Sequence, residues 1–75
     1  MRKYTVKLTY EEGTWCSDVA GDGFSVVLES GSFDALVERV KIAVQDILEV
    51  DFGYTGEIEL VFQAERVDRL RSRAG

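Results

Sequence analysis

The amino-acid sequence specifies an α+β domain of four strands and one helix, in the order β-β-β-α-β, on three grounds. Between Ser32 and Val50, apolar residues recur at three- and four-residue spacing, which sets them along one face of a helix. Elsewhere apolar and polar residues alternate with the period of two that a half-buried strand requires. Glycine-bearing stretches at 13, 21–23, 31 and 53–56 separate these runs, so the chain turns where its pattern changes.

The first strand runs from Arg2 to Tyr10, with Tyr4, Val6, Leu8 and Tyr10 on one side and Lys3, Thr5, Lys7 and Thr9 on the other. Glu11, Glu12 and Gly13 interrupt the alternation, and Gly13 can take the positive φ of a short hairpin loop. Thr14 to Val19 is then a second strand, with Trp15, Ser17 and Val19 facing one way and Cys16, Asp18 and Ala20 the other. Neither side of it is strongly apolar. After the Gly21-Asp22-Gly23 turn, Phe24, Val26 and Leu28 alternate with Ser25, Val27 and Glu29 in a third strand.

Ser32 stands where its hydroxyl can accept a hydrogen bond from a first-turn amide of the helix, and Asp34 adds negative charge at the positive end of the dipole. Phe33, Leu36, Val37, Val40, Ala43, Val44, Ile47 and Leu48 supply the inward face. Gly53 is placed to end the helix in a left-handed conformation. The fourth strand is Glu57 to Glu65, with Ile58, Leu60, Phe62 and Ala64 on its apolar side. Because the helix joins the third strand to the fourth, a right-handed crossover sets the fourth parallel to the first. The expected sheet order is 3-2-1-4, with the helix on one face and the other face open.

The chain of 75 residues has room for one domain, assigned here to residues 1–65, with 66–75 a basic tail expected to be solvated and partly disordered. So small a core gains from oligomerisation, and a homodimer or higher homo-oligomer is expected. Up to residue 65 there are thirteen acids against five bases, whereas the tail has four arginines against Asp68. An acidic body repels phosphate backbones and attracts basic partners, so direct nucleic-acid binding by the body is not expected. Met1 leads directly into strand residues, with no apolar leader and no run long enough to cross a membrane. A cytoplasmic protein with no membrane contact is expected.

Catalytic chemistry finds little support. There is no histidine, which removes the commonest general base, and the single cysteine, Cys16, sits in a strand without a cationic neighbour. Asp18, Asp22, Glu29 and Asp51 have no spacing that matches a two-metal nuclease. Gly21-Asp22-Gly23 lacks the lysine and helix start of a phosphate loop. No catalytic, cofactor or metal residue is therefore assigned. One feature points outward: Ile42 projects from the polar side of the helix beside Ala35, Arg39 and Asp46, which makes Arg39, Ile42 and Asp46 the candidate contact with another protein chain.

The stretch from Val6 to Leu48 also resembles a known family. Glu11-Glu12-Gly13-Thr14-Trp15, Ser17-Asp18-Val19-Ala20-Gly21, and Glu29-Ser30-Gly31-Ser32-Phe33 opening Asp34-Ala35-Leu36-Val37-Glu38-Arg39-Val40 are similar to the HicB-like antitoxin superfamily, in particular its short stand-alone members of unknown function. The resemblance implies a partial ribonuclease-H-like fold without the nuclease carboxylates, acting by binding and neutralising a partner. In the two-gene systems of that family the partner is HicA, a small basic messenger-RNA-cleaving toxin of double-stranded-RNA-binding fold. The family's Pro-Gly turn is here Ala20-Gly21 followed by Asp22-Gly23, and no DNA-binding module is expected. A self-associating structural or small-ligand-binding domain without a toxin partner is the alternative.

Overall fold

The computed structural model describes residues 1–66 and Leu70. Strand β1 (Arg2–Glu11) leads into β2 (Thr14–Gly21) and β3 (Phe24–Ser30), helix α1 (Phe33–Asp46) follows and continues as a π-helical turn over Ile47–Asp51, and β4 (Ile58–Arg66) closes the sheet. The four strands lie in the order β3-β2-β1-β4, as the element order requires. β1 and β2 are antiparallel, as are β2 and β3, while β4 runs parallel to β1.

The register decides which residues share the helix side. Val6 lies opposite Val19 and Phe62, Val19 lies opposite Val26, and one step along Leu8 lies between Ser17 and Ala64. Val6, Leu8 and Val19 from the sheet meet Leu36, Val40, Val44 and Leu48 from the helical segment, and these seven side chains form the buried core. Ser17 is buried with them, 1% exposed, and its hydroxyl donates to the Leu28 carbonyl at 3.4 Å. A small residue there lets the helix approach β2, which explains why the second strand reads as weakly apolar.

At the start of α1 the Ser32 hydroxyl accepts from the Ala35 amide at 3.3 Å, so Ser32 caps the helix and does not belong to it. The far end differs from the expectation of a uniform helix to Val50. Four-residue spacing drifts by about 40° per step on an α-helix, because each residue advances about 100°. The looser π winding takes out part of that drift and keeps Leu48 over the sheet in line with Val44. The chain then leaves through Gly53 at φ +62, and the Tyr54 amide donates back to the Leu48 carbonyl at 2.8 Å. That bond spans six residues, one more than the usual helix-ending motif, as the widened turn demands.

Glu12 and Gly13 both have positive φ, +53 and +81, which makes the first hairpin a two-residue turn of the kind that matches strand twist. β4 begins and ends one residue later than expected, at Ile58 and Arg66. The expected disorder of the tail falls on residues that, apart from Arg66 and Leu70, lie outside those described.

Candidate functional site

Two surfaces carry features that the core does not need. The first is the outward face of α1. Arg39, Ile42 and Asp46 lie one turn apart along it and are exposed, as their spacing leads one to expect, with Ala35 exposed beside them. Ile42 keeps 59% of its surface in water. Around this stripe the charge is mostly negative, with Asp34 and Glu49 exposed and Glu38 pairing with Lys41 at 3.2 Å across one turn.

The second surface was not legible in the sequence. Helix α1 packs on β3 and β2, at one side of the sheet, whereas β4 is at the other. Ile58, Leu60 and Phe62 face the same side as the helix and are only half-buried. A groove of about 400 Å³ opens between them and Lys41, Val44 and Gln45 of α1. It continues past Gly56 into a hollow of about 230 Å³ bordered by Glu49 and Tyr54. There the Tyr54 hydroxyl donates to the Glu57 carbonyl at 2.7 Å, and the Arg2 guanidinium lies 4.6 Å from the Tyr54 ring centre. A favourable stacking of this kind fixes the loop that forms the end wall. No periodicity argument foretells which strands a single helix will cover, since that depends on where the helix sits across the sheet.

The residues weighed for chemistry are dispersed. Asp18 and Glu29 lie with Cys16 on the open face of the sheet, where the Cys16 thiol is 3.9 Å from the Glu29 carboxylate, while Asp22 belongs to the second hairpin and Asp51 to the end of the π turn. Among the described residues no group of three or more histidine, cysteine or acidic side chains is close enough to hold a metal ion. No helix among them is long and apolar enough to cross a membrane.

These features define a small α+β sheet-and-helix domain whose exposed surface is acidic and whose last strand leaves an apolar groove unfilled. The chain belongs to the family described as Domain of unknown function (DUF1902), whose model matches residues 3–74. No curated protein and no solved structure matches it.

Proposed function

We propose that the chain is a cytoplasmic, non-catalytic protein-binding module that docks a small basic protein in the manner of a HicB-like antitoxin. The observation that carries this reading is the charge of the body, thirteen acids against five bases up to residue 65, with every acidic side chain from Glu11 to Glu59 exposed. A field of that sign steers a basic protein toward the surface before contacts form. The resemblance around the first hairpin and the capped helix supports a HicA-like toxin as the partner, and covering such a toxin's basic RNA-binding surface would neutralise it without chemistry. The exposed stripe of Arg39, Ile42 and Asp46 offers the apolar anchor and polar rim that a docking surface combines. No cofactor, membrane or direct nucleic-acid contact by the body enters this reading.

The test is purification from native cells at low salt and native expression. A small basic protein should co-purify in stoichiometric amount and leave as salt is raised; its absence removes the reading. The second reading, a self-associating structural or small-ligand domain with no toxin partner, is favoured by the unfilled groove beside β4.

A further inference from the structure

We infer that β4 is a dimerisation strand. Two copies of the chain pair β4 with β4, antiparallel, about a two-fold axis through Val61 and perpendicular to the sheet. This joins the two four-stranded sheets into one and closes both grooves. The inference is independent of the toxin-binding reading.

The strand has what edge pairing needs. β4 spans nine residues with β1 as its only neighbour in the sheet, and its register against β1 runs unbroken from Ile58 to Arg66. There is no proline in the chain, and no bulge interrupts that register to turn the edge away. A long regular edge with an apolar face presents unpaired amides and carbonyls to any strand that fits. The opposite edge, β3, is shorter and has α1 packed over it.

Charge selects a second copy as the occupant. Across the acidic body two copies repel each other, so they meet best where acids are sparse. The lining of the main groove has Lys41 as its charged residue and no acid, and within Ile58–Ala64 the one charge is Glu59. A basic partner is drawn to the acidic surfaces instead, which leaves this edge to an acidic chain like itself.

The register is self-complementary. With the axis at Val61, Leu60 faces Phe62 and Ile58 faces Ala64 on the groove side, while on the open side Glu59 faces Gln63, whose amide can donate to a carboxylate. Positions 57 and 65, both glutamate, fall beyond the paired segment, at its fraying ends. Moving the axis to Phe62 sets glutamates 59 and 65 opposite each other inside the strand, which like-charge repulsion disfavours. The interface is isologous and closed, the commonest symmetry of small homo-oligomers.

The experiment uses the full chain. Sedimentation at micromolar concentration should give twice the chain mass. Val61→Glu, which sets two carboxylates across the axis, should halve that mass while circular dichroism and the melting temperature stay unchanged. In a Cys16→Ser background, Val61→Cys should form a covalent dimer under mild oxidation, because residues directly opposite in an antiparallel pair have Cα atoms about 4.5–5.5 Å apart. Val27→Cys on β3 should not. A monomer that gives no cross-link overturns the inference, as does a dimer that withstands Val61→Glu or cross-links equally through Val27→Cys. A monomer whose edge binds a basic protein also overturns it, and in that case the toxin-binding reading survives.

Discussion

The rings of Tyr4 and Phe24 meet edge to face, with centroids 5.3 Å apart, across the backbone of Gly21. Gly21 lies between them in the sheet, paired with Phe24 on β3, and a Cβ built there would overlap the Phe24 ring and come within 2.7 Å of the Tyr4 ring. Glycine is thus required so that two aromatic side chains can fold over one strand and seal that end of the core. Gly21→Ala should cost about 1–3 kcal/mol, the usual penalty for forcing volume into a packed site. Urea unfolding followed by tryptophan fluorescence will show it as a lower midpoint with the slope unchanged.

The first hairpin contains a local conflict. Glu12 has a φ of +53, a conformation in which a side chain with Cβ is strained. Asparagine tolerates that region better and, followed by Gly13, makes the pair preferred in such turns. Glu12→Asn should stabilise the domain by about 0.5–1 kcal/mol, the scale of a turn residue matched to its backbone. A thermal melt reads this directly, and an unchanged or lower melting temperature would show that the turn is not strained.

Ser17 tests what its position contributes. Its hydrogen bond to the Leu28 carbonyl is long at 3.4 Å, so Ser17→Ala should change stability by no more than about 1 kcal/mol. Its size matters more, because the side chain lies in the core beneath the helix. Ser17→Leu should cost about 1–3 kcal/mol by pushing α1 off the sheet. Comparing the two by chemical denaturation separates the hydrogen bond from the volume.

How much of this was legible in the sequence divides along physical lines. Alternation and turn residues determine strands and their faces, so the pairing of Val6 with Val19 follows from pattern and hairpin length. Ser32 and Gly53 carry local chemistry, and both do what their types foretell. The π winding at Ile47–Asp51 has no such signature, because it arises from the need to keep Leu48 facing a sheet whose position is a tertiary matter. For the same reason the stripe at Ile42 could be read in advance, whereas the groove at Ile58, Leu60 and Phe62 could not.

Val40 is fully buried between the helix and the sheet, and Val40→Asp would place a charge there with no partner. That costs several kcal/mol, about the whole stability of a domain this small. The variant should be unfolded by circular dichroism at neutral pH; a native spectrum would mean that the helix can leave the sheet without loss of the fold.

Ile42→Glu separates the two surfaces. Ile42 is exposed and outside the core, so the substitution should leave the melting temperature within about 0.5 kcal/mol of the parent. If the α1 stripe is the docking surface for a basic protein, removing its apolar anchor should cost about 1–2 kcal/mol of binding, or roughly tenfold in affinity, at fixed salt. The added acid pulls the other way by favouring encounter with a basic partner, so Ile42→Ala serves as the charge-neutral comparison and should show the loss more cleanly. Neither variant should alter the mass by sedimentation, because self-association belongs to β4. A fall in mass with unchanged affinity would assign the stripe to contact between copies instead.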